Sequence, residues 1–135
     1  MLAAGCLDAI GPDVGPVRSS CTGADSDPST DIDFERDIRV GIFQTYCDVC
    51  HSPAGATPIG LQIGGLDLST HATLIEGGVH GATSIVVPGD ACASILFQKV
   101  GPAPPFGGRM PLDRAQLSPA HLQQLVDWIA EGAND

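Results

Sequence analysis

The sequence is poor in aromatic and in basic residues. Only 4% of its 135 residues are aromatic, which is few for a hydrophobic core of this size, and 6 Lys and Arg residues face 16 Asp and Glu residues. The formal net charge of -10 argues against nucleic-acid binding, because such proteins carry a basic patch that neutralises phosphates. No apolar run is long enough to span a bilayer. We therefore expect one domain whose interior includes a large apolar group other than Phe or Trp.

Glycine and proline are abundant, and the 17 Gly and 11 Pro predict long loops between helices. The strongest helical pattern follows the cap Ser118 and places Leu122, Leu125, Val126 and Ile129 on one face, up to Gly132. Trp128 lies at the edge of this face, and His121 is expected at the surface. Further helices are predicted over about 30–46, 70–76 and 91–99, with Gly41 open to a second helix, and loops are predicted over 52–66 and 101–111.

The most specific motif is Cys47-Asp48-Val49-Cys50-His51. Cys-x-x-Cys-His is the attachment sequence of a c-type haem. Residues three apart share one face of a helix, so Cys47 and Cys50 can both reach the vinyl groups of one porphyrin. His51 can then bind the iron as the proximal ligand. The motif predicts one haem c, bound covalently through both cysteines.

Three kinds of site that also use paired cysteines suit this motif less well. A thioredoxin-like redox pair is preceded by a strand in a βαβ unit, whereas here a helical pattern leads into the motif. A structural zinc site needs a second ligand pair at short spacing, and Cys92, His71 and His80 are scattered along the chain. A disulfide between Cys47 and Cys50 would be strained and would leave His51 without a role.

Several apolar residues near the motif are predicted to bind the same cofactor. Phe43 precedes Cys47 by one helical turn and is expected on the haem-facing side of its helix. Ile63 and Leu66, in the loop over 52–66, are expected to form the wall of the pocket. A backbone carbonyl of this loop is expected to accept a hydrogen bond from Nδ1 of His51 and so fix its tautomer.

Met110 is the candidate for the second axial ligand. It lies in the segment 101–111, where many Gly and Pro residues form a shaped loop, and Pro111 restricts the backbone directly after it. A methionine in such a loop can direct its sulfur at a metal. His71 and His80 are alternative ligands in principle, although surface or capping roles suit them better.

The first residues allow two interpretations. Leu-Ala-Ala-Gly-Cys at 2–6 resembles a bacterial lipoprotein cleavage box, which would make Cys6 a lipid tether to a membrane; Cys21 would then pair with Cys92. Alternatively, Cys6 pairs with Cys21. Five cysteines favour an oxidising compartment. We divide the chain into a tail or tether over 1–30 and a domain over 31–135.

Taken together, these features resemble a small monohaem class I cytochrome c, of the type common in planctomycetes and myxobacteria. The finer motifs are Gly-Gly-Leu-Asp-Leu-Ser at 64–69, Val-Pro-Gly-Asp at 87–90, Arg-Met-Pro at 109–111 and Asp-Trp-Ile-Ala-Glu-Gly-Ala at 127–133. The resemblance implies an all-α fold of three to five helices around one covalent haem. It also implies that His51 and Met110 are the axial ligands.

The resemblance further implies one-electron transfer without catalysis, because both axial positions are filled. The acidic charge predicts redox partners with a basic docking face. The expected location is the bacterial periplasm or the outer face of the cell envelope. Three alternatives stay open: a gas-binding or sensing cytochrome in which Met110 is displaced, the haem subunit of a larger redox complex, and a structural subunit that binds through its tail.

Overall fold

The computed structural model describes residues 29–135, and this part of the chain contains helices and turns but no strand. The all-α prediction is therefore confirmed for the described domain, whereas the predictions about Cys6 and Cys21 fall outside it. The helices are α1 (Phe34–Phe43), α2 (Gln44–Tyr46), α3 (Asp48–His51), α4 (Ile59–Gly64), α5 (His71–Glu76), α6 (Ile95–Val100) and α7 (Pro119–Ala130). A 3₁₀ turn covers Ala82–Ser84. These seven helical segments exceed the three to five expected, because 34–51 is divided into three and α4 falls in a predicted loop.

Helix α1 begins at the cap residue Asp33, whose side chain accepts a hydrogen bond from the backbone N–H of Arg36 at 2.7 Å. Over Phe34–Phe43 the hydrogen bonds follow the π-helical pattern, and α2 continues as an α-helix. Phe34, Ile38 and Ile42 recur every four residues and are fully buried. This spacing keeps the three side chains on the face that forms the core.

Helix α7 packs against α1 through aromatic rings. The rings of Phe34 and Trp128 have centroids 5.6 Å apart, and Trp128 is 0% exposed. The prediction that Trp128 lies at the boundary is wrong, because the chain after α7 turns back and Asn134 accepts a hydrogen bond from the indole N–H at 2.8 Å. The predicted cap is confirmed, since Ser118 accepts from the backbone N–H of His121 at 3.2 Å.

Two predictions about surface positions are corrected by these packing contacts. His121 is half-buried, and its Nδ1 is hydrogen-bonded to the hydroxyl of Tyr46 at 3.1 Å. No second helix packs closely at Gly41. A Cβ added there would meet only the carbonyl of Arg36, which belongs to the same helix, at 3.6 Å. The surface of α1 at Gly41 is therefore not a close helix contact.

His71, the first residue of α5, joins the core of α1 and α7. Its Nε2 donates a hydrogen bond to the Ala133 carbonyl at 2.7 Å, and its ring lies 5.1 Å from that of Phe34. The helix itself was predicted over 70–76 and is confirmed, with Thr70 as its cap. His71 thus connects α5 to the end of the chain.

Helix α6 begins later than predicted, at Ile95. Residues before it form a turn in which the buried hydroxyl of Ser94 donates to the Asp90 carbonyl and accepts from the Val87 N–H, both at 2.8 Å. Asp90 also accepts from the N–H of Ala93 at 3.0 Å. These bonds favour a turn over a helix at 90–94, in keeping with the tendency of short polar side chains to compete for backbone groups.

The described residues also bear on the cysteines and on membrane insertion. Cys92 is disulfide-bonded, whereas Cys47 and Cys50 are free thiols. Among the helices within 29–135, none is long and apolar enough to cross a membrane.

Candidate cofactor site

An apolar cavity of about 390 Å³ lies beside the Cys-x-x-Cys-His motif. Its volume falls within the range of small-molecule and cofactor sites. Helix α4, the segment over 64–68, helix α6 and the loop that ends at Leu112 form its wall. Several of its apolar side chains reach solvent, and Ile63 is 69% and Leu112 56% exposed. An apolar wall that is open on one side is typical of a binding site.

The structure brings most of the predicted site residues to this cavity. Its wall includes Cys47, His51, Ile63, Leu66 and Met110, which come from three separate parts of the chain. These residues are therefore neighbours in the fold, as the sequence motifs predict.

Two predicted site residues lie elsewhere. Phe43 is not part of the cavity wall, because it is fully buried in the core with its ring 6.2 Å from that of Phe34. Cys50 is also not part of the wall, although its thiol is close enough to Cys47 to raise that residue's pKa. Phe43 thus supports the helix that carries the motif and does not face the cavity.

A single helical turn brings the motif residues together. The Cys47 carbonyl accepts hydrogen bonds from the N–H of Cys50 at 3.1 Å and from that of His51 at 3.0 Å. Burial raises the pKa of the Cys47 thiol to about 12, and the neighbouring Asp48 carboxylate contributes in the same direction. The thiol is therefore neutral at physiological pH.

The imidazole of His51 is oriented by two contacts. Its Nδ1 donates a hydrogen bond to the Leu66 carbonyl at 3.2 Å, which is the backbone acceptor expected from the sequence. A Cβ on Gly60 would lie 2.5 to 2.7 Å from three ring atoms, so the ring lies directly against the backbone of α4. Burial lowers the pKa of His51, which favours the neutral ring. With Nδ1 protonated, Nε2 keeps the lone pair that a metal needs.

An ion pair fixes the motif to the rest of the fold. Arg39 on α1 contacts the Asp48 carboxylate at 2.8 Å and donates from Nε to the Ser69 carbonyl at 2.9 Å. The other oxygen, Oδ1 of Asp48, is buried without a hydrogen-bond partner among the described residues. Sequence reasoning missed this pair, since nothing in the sequence indicates that Arg39 and Asp48 meet.

Met110 is held at the cavity by the end of α6. Its N–H donates to the Lys99 carbonyl at 2.7 Å, and the neighbouring Arg109 donates from Nε to the Val100 carbonyl at 2.9 Å. Lys99 and His80 also line the cavity; sequence reasoning named His80 only as an alternative ligand and gave Lys99 no role. A thioether and a neutral imidazole that line the same cavity can together bind a metal whose other ligands come from a cofactor.

The described residues contain no group of three or more His, Cys, Asp or Glu side chains placed to hold a metal ion. A haem iron does not require such a group, because the porphyrin supplies most of its ligands. Comparisons of the chain with protein-family models, with curated proteins and with solved structures found no match. The function of the site is therefore inferred from its own residues.

Proposed function

We propose that this protein is a monohaem c-type cytochrome of class I that carries single electrons and catalyses no reaction. The observation that supports this most is the meeting of Cys47, His51 and Met110 on one apolar cavity. These are an attachment thiol, an imidazole ligand and a thioether ligand, and they come from distant parts of the chain. A haem also suits the cavity because its apolar walls would cover the flat porphyrin.

The thiols of Cys47 and Cys50 would attach the haem to the chain. Each S–H would add across one vinyl group, so that sulfur bonds to one carbon, hydrogen goes to the other, and no oxidant is consumed. Cys47 is already on the cavity wall, and Cys50 is one turn away on the same helix. Arg39 and Asp48 would hold this helix in place during and after attachment.

His51 and Met110 would be the two protein ligands of the haem iron. The Leu66 carbonyl and Gly60 orient the imidazole, and the Lys99 carbonyl holds the backbone of Met110. When bound, the haem supplies the one-electron redox chemistry, and ligation by methionine raises its reduction potential. Two protein ligands would leave no position for a substrate, which is why we propose a carrier and not an enzyme.

Attachment is tested by intact mass under denaturing conditions. The protein is produced in a host that attaches haem c, and we expect the mass of the chain plus one haem, which acidified solvent does not extract. Cys47→Ser and Cys50→Ser should each weaken attachment, and the double variant should yield no covalent haem. Haem that is fully extractable from the unaltered protein would contradict the proposal.

Axial ligation is tested with Met110→Ala. The oxidised variant should lose the charge-transfer band of thioether-ligated iron, and the reduced variant should bind CO. Leu112→Ala is the matched control, since it also shortens an apolar side chain of the same wall. CO binding by the unaltered protein would favour the gas-sensing alternative instead. A Met110→Ala variant with an unchanged spectrum would show that another residue is the ligand.

We further propose a basic redox partner and a location outside the cytoplasmic membrane. With a formal net charge of -10, electron transfer to a basic partner should slow as salt rises, because exposed charges are screened beyond about 8 Å at physiological ionic strength. A rate that does not respond to salt would exclude this role of the charge. Lipidation of Cys6 is tested separately: Cys6→Ser should release the protein from the membrane fraction.

A further inference from the structure

We propose that Lys99 is a positioning residue for Met110: its ammonium group holds the loop over 106–110 against α6 and thereby fixes the methionine at the cavity. This inference builds on the proposed function, because it takes Met110 as the axial ligand. It adds a residue that neither the haem motif nor the ligand set includes.

The ammonium group of Lys99 bonds to two carbonyls of the loop. Its Nζ donates to the Phe106 and Gly108 carbonyls, each at 2.7 Å, and lies 4.8 Å from the centre of the Phe106 ring. Hydrogen bonds from a charged donor are stronger than those between neutral groups. Burial lowers the pKa of Lys99, which agrees with an ammonium group drawn partly away from solvent.

The loop backbone is shaped to make both bonds. Gly107, between the two acceptor residues, has a φ of +58°, in the left-handed region that favours glycine. A Cβ at Gly107 would lie 3.5 Å from Nζ of Lys99. The chain thus turns closely around the ammonium group and presents the carbonyls on both sides of the turn.

The same residue also bonds to Met110 itself. The Lys99 carbonyl accepts from the Met110 N–H at 2.7 Å, and the Lys99 side chain lines the cavity beside the methionine. Lys99 therefore contacts the loop before Met110 through its side chain and Met110 through its backbone. It is the only lysine in the sequence, so no second lysine can replace it.

The test compares Lys99→Leu with Arg114→Leu. Leucine keeps an apolar side chain at the cavity and removes all three donors. Arg114 lies four residues after Met110, is exposed, and takes no part in these hydrogen bonds, so its variant removes the same charge without releasing the loop. Lys99→Gln, with shorter reach, and Lys99→Arg, with charge and donors kept, complete the series.

The first readout is hydrogen exchange at the Met110 N–H, and it does not depend on haem. The hydrogen bond from this N–H to the Lys99 carbonyl is made by the backbone, so the substitution leaves it in place. We expect exchange in Lys99→Leu to be about tenfold faster or more, and unchanged in Arg114→Leu. In the haem-loaded protein, Lys99→Leu should also weaken the thioether-to-iron band and admit CO after reduction. Lys99→Gln should be intermediate, and Lys99→Arg should restore most of the band.

The outcomes separate this inference from the proposed function. The inference would be overturned if Lys99→Leu left both the exchange rate of the Met110 N–H and the thioether-to-iron band unchanged. It would also be overturned if exchange became faster while the band was retained, because the loop would then move without displacing the ligand. If Lys99→Leu does not fold, equal results for Lys99→Gln and Arg114→Leu overturn it. If the unaltered protein carries no covalent haem, the proposed function fails, while the exchange measurement still reports on Lys99 and the loop.

Discussion

Gly60 and Gly64 lie in the same six-residue helix, α4, and should respond oppositely to alanine. A Cβ on Gly60 would lie 2.5 Å from Cε1 of His51 and 2.7 Å from both ring nitrogens, closer than such atoms approach one another. A Cβ on Gly64 would meet no atom within 4 Å. Both glycines line the cavity, so the two variants form a matched pair.

The expected magnitudes follow from these distances. Replacing a helical Gly by Ala stabilises by roughly 0.5–1 kcal/mol when the space is free, which is the expectation for Gly64→Ala. Gly60→Ala gains the same stabilisation of the helix, but its Cβ forces the His51 ring away. This overpacking costs about 1–3 kcal/mol. It also breaks the bond from Nδ1 to the Leu66 carbonyl, worth roughly 0.5–1.5 kcal/mol. The two variants should therefore differ by about 1.5–4.5 kcal/mol.

Thermal unfolding followed by circular dichroism measures the difference. At roughly 4 °C per kcal/mol for a domain of this size, the two midpoints should be about 6–18 °C apart, with Gly64→Ala the higher. In the haem-loaded protein, Gly60→Ala should also alter the spectrum, because His51 changes position. A Gly60→Ala variant that is as stable as Gly64→Ala would refute the placement of His51 against α4.

Three further predictions concern the core, the ion pair and pH. Trp128→Ala should lower the free energy of unfolding by about 3–5 kcal/mol in denaturant titration, because a fully buried indole is lost. Arg39→Leu should cost roughly 1–3 kcal/mol by leaving Asp48 unpaired, and Asp48→Leu added to it should recover part of this. Without haem, the thermal midpoint should fall as pH drops below about 6.5. The reason is that burial lowers the pKa of His51 in the folded protein, so the unfolded chain takes up the proton first. An equally large drop in His51→Asn would contradict this.

Sequence patterns predicted the elements whose signals are local. Ser118 and the apolar spacing from Leu122 to Ile129 predict α7, and Thr70 followed by Gly77 predicts α5. The burial of Trp128 was not predictable in this way, because it depends on the turn of the chain after α7. Side chains at the edge of a helical face are buried or exposed according to segments that periodicity does not describe.

Helix α4 was missed for a different reason. Two glycines and the preceding Pro58 give its sequence the composition of a loop, and Gly60 is a poor helix former. The contact with His51 explains that glycine, since only a residue without a Cβ fits against the ring. A signal was nevertheless present: Pro58 before the helix and Gly65 after it, with a left-handed φ of +62°, mark its two ends.

The scarcity of aromatic residues has a structural counterpart. The rings of Phe34, Phe43 and Trp128 pack together between α1 and α7, and none of the three is part of the cavity wall. Phe106 is the aromatic residue in that wall, and it is 42% exposed. The cavity beside the motif is therefore lined mainly by aliphatic side chains. If a porphyrin occupies the cavity, it provides a large flat apolar surface like the one that the three rings provide between α1 and α7. The folded domain should then lose much of its stability when the haem cannot attach.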